Sequence, residues 1–361
     1  MRRPVGPWLA LVASLLSLAI ATSAPAQGYL GLGAAQDNGF AEVRPDRPIS
    51  LPADHGAHPD FRIEWWYVTA NLKGPDGADY GLQWTLFRSA LAPEGSEEGW
   101  QARQFWMAHA AVTSADTHRS AERFARGGVG QAGVTHPPFE AWIDDWRFAH
   151  LGDGSGDAFS PLVMTARSDD FAYDLELSAE APEVLQGEAG YSVKSELGQA
   201  SHYFSQPFFH IRGTIVIDGV ETEVTGRAWM DREWSTQPLV ETQTGWDWFA
   251  LRFDEDNALM VYRLRHDDRD AYVTGNWLTA DGRSERLAPG EIEMTALEIT
   301  EVKGRDVPTH WRIEVPAREI DITTRPLNAQ SWMDVSFDYW EGPVFFEGSH
   351  DGIGYLEMTG Y

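Results

Sequence analysis

Apolar and polar residues alternate in short runs along most of this chain, and the runs end in turn signals. Residues 62–72 (RIEWWYVTANL) predict a strand closing at the turn GPDG, and residues 79–91 predict the strand that returns from it. Residues 104–114, 139–148 and 171–180 continue the texture. Residues 211–226 predict a hairpin turning at Asp218-Gly219, where glycine permits the positive φ of a tight turn. Further hairpins are predicted over 249–267 and over 276–287, the latter turning at Asp281-Gly282; strands at 310–316, 319–326 and 339–361 complete the set. Nowhere is there a long helical period. Many short strands with turns about every ten residues predict an all-β fold of antiparallel sandwiches or barrels.

One stretch breaks the pattern of polar-out and apolar-in. Residues 226–249 (GRAWMDREWSTQPLVETQTGWDWF) set Asp231, Arg232, Glu233 and Asp247 among Trp229, Met230, Trp234, Trp246 and Trp248. An unpaired charge taken out of water costs several kcal/mol, so ionisable groups are normally kept apart from such clusters. On a strand, Trp229, Asp231 and Glu233 share one face while Met230, Arg232 and Trp234 share the other. Two readings follow: a structural ion pair in which Arg232 bridges Asp231 or a neighbouring carboxylate, or a pocket wall presenting a tuned acid to an apolar ligand.

Composition narrows the setting. Residues 1–26 carry two arginines, an apolar run over 8–21 and a small-residue site at Ala24-Pro25-Ala26, the pattern of a secretory signal peptide cleaved after Ala26. No cysteine occurs anywhere, which excludes a lipoprotein anchor, disulfides and thiolate chemistry. Beyond the signal no apolar run reaches membrane-spanning length, so no stable membrane insertion is expected and the location expected is the periplasm. The net charge of -27, with only three lysines, argues against nucleic acid and anionic lipid as partners. Sixteen tryptophans suit cavities for apolar ligands, though most are expected to fill cores.

Familiar catalytic signatures are missing. Gly128, Gly130 and Gly133 match a dinucleotide fingerprint in GVGQAG, but no apolar strand precedes them and THPP follows, so the segment is read as a loop. His55 and His58 lie in an irregular lead-in without a third ligand in view, and no metal site or cofactor is expected. What remains is a set of acids embedded in aromatics: Glu64 beside Trp65, Trp66 and Tyr67, Asp231, Asp247, and Glu341 after Tyr339 and Trp340. Burial raises the pKa of a carboxyl, and aromatic faces attract cations, so such acids suit protonation of an alkene with Trp faces stabilising the carbocation.

Several long motifs resemble the AttH and carotenoid 1,2-hydratase family of lipocalin-like proteins. They are HPDFRIEWWYVTANL (58–72), LQWTLFR (82–88), FWMAHAAVTS (105–114), EAGYSVKS (188–195), HYFSQPFFHIRGTI (202–215), GRAWMDREWS (226–235), GWDWFALRF (245–253) and the terminal YWEGPV and GYLEMTGY. The resemblance implies two lipocalin-like antiparallel β-barrel domains in tandem, with a ligand cavity near their junction. It also implies either hydration of an isoprenoid double bond or, in the AttH-type branch, an exported protein working with an ABC-transporter permease. One departure stands out: where the hydratases carry YHDxNWG this chain has WMDREWS, so Met230 replaces the histidine and Glu233 the asparagine.

The domains expected are a signal peptide over 1–26, an extended lead-in over 27–57, a first lipocalin-like domain over 58–235 and a second over 236–361. The function expected is binding of an apolar molecule of isoprenoid, carotenoid or lipid type, with a hydro-lyase as the alternative. Asp231, Glu64 and Asp247 are the candidate acids. Trp65, Trp66, Tyr67, His109, Trp229, Trp234, Trp246, Trp248 and Trp340 are the candidate ligand contacts.

Overall fold

The computed structural model describes residues 39–152, 159–237, 239 and 242–361. The predicted signal peptide and the first part of the lead-in lie outside the described residues. One sheet contains β1 (Ile63–Lys73), β2 (Asp79–Ala90), β3 (Gln104–Ser114), β4 (His118–Arg126), β5 (Ala132–Thr135), β6 (Glu140–Ile143), β7 (Trp146–His150), β8 (Leu162–Arg167), β9 (Phe171–Ala179), β10 (Val184–Leu185), β11 (Tyr191–Val193), β12 (Ala200–Ile217) and β13 (Val220–Ser235). The other contains β14 (Gln243–Arg252), β15 (Asn257–His266), β16 (Tyr272–Thr279), β17 (Ser284–Leu287), β18 (Glu293–Val302), β19 (Arg305–Val315), β20 (Ile320–Pro326), β21 (Trp332–Met333), β22 (Tyr339–Gly348) and β23 (Gly352–Thr359). The fold is all-β, as the alternation and turn signals predict, and its sheets curl into two lipocalin-like barrels.

The strand order of the first sheet is β4-β3-β2-β1-β13-β12-β9-β8-β7-β6-β5, with β10 and β11 on β12. That of the second is β17-β16-β15-β14-β23-β22-β20-β19-β18, with β21 on β22. Each barrel therefore closes its chain path beside its start: β13 pairs with β1, and β23 with β14. The hairpin at Asp218-Gly219 forms where predicted, with φ of 51° and 81° at the two residues.

Several strands escape the sequence reading: β4, β5, β8 and β18, and the two- and three-residue β10, β11 and β21. β4 and β18 are the outer strands of their sheets, and each buries a single residue, Ala125 and Val302 respectively, so no apolar alternation marks them. β8 shows its alternation over only six residues. β5 is short and takes in Ala132 and Gly133, so the GVGQAG segment is turn over its first four residues and strand over its last two rather than a loop throughout. The extended lead-in is also anchored to the first barrel. Phe40 and His55 are buried, and Ala41, Val43, Ile49, Leu51 and Ala57 pack against the first core, because the apolar residues scattered through this segment find the barrel's rim.

Apolar residues gather in three main places. Trp66, Trp84, Trp106, Trp146 and Trp234 help fill the first barrel, and Trp311, Trp332 and Trp340 the second. A third cluster, including Tyr67, Tyr203, Trp229, Trp248, Met260 and Tyr355, joins one barrel to the other. The sheets meet closely: a Cβ at Gly81 on β2 would lie 2.4 Å from Pro343 Cγ on β22, and Asn71 Nδ2 donates to the Gly354 carbonyl at 2.9 Å. Between them, along β1, β12, β13, β14, β15, β22 and β23, lies a cavity.

Candidate active site

The alternation along β13 decides what each residue of the motif-rich stretch can touch. Met230 and Trp234 point into the first core, with Arg232 beneath them against the Trp66 ring at 3.9 Å. Trp229, Asp231 and Glu233 face the junction, as period two requires. Arg232 and Asp231 therefore lie on opposite sides of the sheet, and the ion pair between them does not form. Arg232 binds Glu64 instead, through Nη2 and Oε2.

Glu64 is the centre of a buried polar network. Its carboxylate also accepts from Arg88 Nε, from the His58 backbone N–H at 2.9 Å, and contacts His58 Nδ1 at 3.2 Å. Arg88 reaches on to the carbonyls of His58 and Phe61, and Arg232 to that of Gly56, so the network fastens the lead-in onto the barrel. Burial alone would raise the Glu64 pKa, but the Arg88 and Arg232 charges and His58 outweigh it and hold it well below the usual carboxylate range. A carboxylate so held is a structural anchor, and it does not reach the cavity. Glu64 is thus removed from the candidate acids.

Asp247 is removed by its position: burial raises its pKa against the opposing Arg265 and Arg263 charges, but it does not line the cavity. It is fully buried on the face of β14 turned from the cavity, where Arg263 Nη1 lies at 3.1 Å, Arg265 Nε at 3.5 Å and Tyr361 OH donates at 2.7 Å. Three candidate ligand contacts fall away too. Trp66 and Trp234 belong to the first core, and Trp340 to the second, where its Nε1 donates to the Ala329 carbonyl at 2.8 Å. Large aromatic side chains on core-facing positions fill barrels, and alternation alone could not tell which face was which.

Trp65, Tyr67, His109, Trp246 and Trp248 do line the cavity, while Trp229 stands behind it with its Nε1 on Asp231 Oδ1 at 2.6 Å. Tyr203, Tyr262 and Met260 extend the apolar wall. The cavity measures about 120 Å³. For scale, an engineered apolar cavity of about 150 Å³ takes up benzene. A compact apolar group fits the space; a long polyene could place only one end there.

Asp231 is 4% exposed and accepts three hydrogen bonds, from Ser205 Oγ and Tyr203 OH at 2.5 Å each and from Trp229. Desolvation raises its pKa to about 7; the three donors oppose that rise, and the nearby Glu233 charge adds to it. A second acid faces the same space. Glu357 on β23 accepts from Trp246 Nε1 at 2.6 Å, and burial, aided by the charges of Asp231 and Glu233, raises its pKa to about 7 as well. Glu233 is paired with Lys194 Nζ at 2.8 Å, and that ammonium lies over the Tyr203 ring at 4.4 Å.

Behind the wall lies a third carboxyl. Glu341 on β22 stands directly opposite Glu357 on β23 and accepts from Tyr67 OH. Burial first, and then the Glu357 charge, push the Glu341 pKa well up, since like charges placed opposite one another on paired strands disfavour double ionisation. His55 and His58 are committed elsewhere, to Glu183 and to the Glu64 network; among the described residues no group of three or more His, Asp or Glu side chains is placed to hold a metal ion. Sequence reasoning missed Tyr203, Lys194, Tyr262 and Glu357, which reach the cavity only through tertiary packing across long separations, and Ser205, which reaches Asp231 behind it. Glu341 carried a signal, its place beside Tyr339 and Trp340, but sits one layer back.

Comparisons with known proteins agree with this architecture. The profile of the AttH-like family matches residues 42–361. A candidate AttH from Nitrosomonas europaea is 31% identical over 89% of this chain and all of its own, with a TM-score of 0.78. Kievitone hydratase from Nectria haematococca aligns over 90% of this chain and 97% of its own at 14% identity and a TM-score of 0.65. CghA with Sch210972 aligns over the same shares at 13% identity and a TM-score of 0.56. The last two likenesses are of fold. No curated protein matches in sequence. A match over residues 42–361, joined to a solved relative above 30% identity, places this chain in the AttH-like family.

Proposed function

We propose that the chain is a hydro-lyase that protonates a C=C bond of a compact, apolar, isoprenoid-like compound, with Asp231 and Glu357 as its acid–base pair. The observation that carries the reading is the pair itself: two carboxyls of near-neutral pKa, each fixed by a Trp N–H, facing one aromatic cavity. The Asp231 charge disfavours ionisation of Glu357, so near pH 7 one of the two is protonated while the other is ionised. Protonated Asp231 gives its proton to the alkene, a water adds to the cation so formed, and ionised Glu357 takes the proton that the water releases. The faces of Trp65, Trp246 and Trp248 stabilise the intermediate cation. The fold likeness to kievitone hydratase supports the reading without naming a substrate.

The missing hydratase histidine bears on this less than its motif implies. Position 230 points into the first barrel core, so in this chain no side chain there would reach the cavity. We further propose that the protein is exported to the periplasm, on the pattern of residues 1–26. The catalytic reading is tested by incubating protein with short isoprenoid alkenes in heavy-oxygen water. Wild type should yield product carrying the label, and Asp231→Asn should lose about a hundredfold or more in rate with little change in affinity read by Trp fluorescence. Saturable binding without labelled product would establish a carrier and overturn the enzyme.

A further inference from the structure

One polar group of the cavity wall has nothing in the protein to bond to. Ser201 is 1% exposed and lines the cavity, yet among the described residues its Oγ has no hydrogen-bond partner. Neighbouring hydroxyls are committed: Ser235 Oγ donates to the Ala200 carbonyl at 2.8 Å, and Tyr203 OH and Ser205 Oγ donate to Asp231. A buried hydroxyl without a partner is a cost to the fold, and a ligand that hydrogen-bonds to it removes that cost.

The strand pattern sets Ser201 on the same face as a cation. Ser201 opposes Ser192 in the pairing of β11 with β12, and the next backbone bond runs from the Lys194 N–H to the Gln199 carbonyl at 2.7 Å. Period two then puts Ser192 and Lys194 on one side, and Ser201 and Tyr203 on the matching side of β12. Lys194 Nζ lies 4.4 Å from the centre of the Tyr203 ring and 5.2 Å from that of Tyr262, and it binds Glu233 Oε1 at 2.8 Å. Tyr203 joins this end of the cavity to the acid, with its ring under Lys194 and its hydroxyl on Asp231. Ser205, the strand partner of Asp231, is about 13 Å along β12 from Ser201.

Charge decides what kind of group fits there. Lys194 is the one lysine or arginine among the described residues that line the cavity, and Glu233 already matches its charge. Asp231 and Glu357 face the same space. A carboxylate or phosphate entering it would be desolvated among acids, with no unmatched cation to receive it. A neutral oxygen meets no such penalty.

We propose that the ligand carries a neutral oxygen function, a hydroxyl or a carbonyl, which accepts one hydrogen bond from Ser201 Oγ and a second from Lys194 Nζ. The assignment deepens the hydro-lyase reading and rests on it for the alkene. With its oxygen held at Ser201, the molecule extends past Tyr203 and brings its C=C bond to Asp231. Ser201 and Lys194 are binding groups, touching the oxygen of the substrate and not its reacting carbons. An isoprenoid hydrocarbon would leave Ser201 unpaired.

Binding alone tests this, read by the emission of the cavity tryptophans with three probes of one carbon skeleton: citronellol, citronellate and the hydrocarbon dimethyloctene. Ser201→Ala should weaken citronellol binding about tenfold and leave dimethyloctene binding unchanged. Its melting temperature should be no lower than that of wild type, because the hydroxyl removed has no partner in the fold. At about pH 8, where a free carboxylic acid is ionised, citronellate should bind wild type at least about tenfold more weakly than citronellol. Equal loss for citronellol and dimethyloctene in Ser201→Ala, or loss for neither, would overturn the assignment, as would citronellate binding as tightly as citronellol. The paired change Lys194→Met with Glu233→Gln removes the second donor without stranding a charge, and citronellol affinity unchanged by it would strike Lys194 from the site. These outcomes are separate from those of the alkene assay. Citronellol bound through Ser201 without turnover keeps the oxygen site and loses the hydro-lyase, while labelled product with no dependence of binding on Ser201 does the reverse.

Discussion

Replacing Asp231 by Asn should change how stability depends on pH, in a direction that its burial fixes. The folded-state pKa is raised from 3.8 to about 7, so the folded chain holds this proton more tightly than the unfolded chain does. Below the unfolded value both states are protonated and the contribution is fully present. As pH rises towards 7 the unfolded chain alone gives up its proton, and the contribution is lost by about 1.4 kcal/mol per pH unit. Across about three such units the loss approaches about 4 kcal/mol, an upper figure because Glu357 titrates in the same range and is coupled to it.

Asn has no such proton to lose. Its Oδ1 can still accept from Ser205 and Trp229, while its amide would donate to the Tyr203 oxygen, reversing one bond at a cost of about 1 kcal/mol that does not vary with pH. Urea unfolding of both proteins at several pH values between 4 and 8 measures the difference. Wild type should lose ground to the variant steadily as pH rises. A difference that stays flat, or that grows in favour of wild type, would mean that Asp231 is ionised throughout and is not the acid.

Two further outcomes are expected. Glu64→Gln keeps the shape of the side chain but removes the negative charge that Arg88 and Arg232 share, and should cost about 3–5 kcal/mol in the denaturant midpoint; an unchanged midpoint would show that the lead-in is held by apolar contacts alone. Protein recovered from the periplasm should begin at Gln27 or its cyclised form, and an intact mass that retains residues 1–26 would refute export by cleavage after Ala26.

Period-two alternation is a local property, and it was legible in the residues themselves. It announced the all-β fold, the hairpin at Asp218-Gly219 and the division of Trp229, Asp231 and Glu233 from Met230, Arg232 and Trp234. It could not say which face looked inward to a core and which towards the junction. That is why Glu64, Asp247, Trp66, Trp234 and Trp340 looked like equals of Asp231, Trp65 and Trp246. Outer strands such as β4 and β18 bury too little to leave a pattern at all.

The two carboxyls that face the cavity belong to a different level. Asp231 and Glu357 are far apart in the chain, and only the docking of one barrel against the other turns them towards one space. Their pKa values follow from that docking, because desolvation and mutual repulsion depend on which groups surround a carboxyl and not on its neighbours in sequence. The same holds for Glu341, whose partners Tyr67 and Glu357 come from different sheets. Residue order settled most of the strands and their two faces; the packing of the two sheets settled which buried acids pair with arginines and which face the cavity.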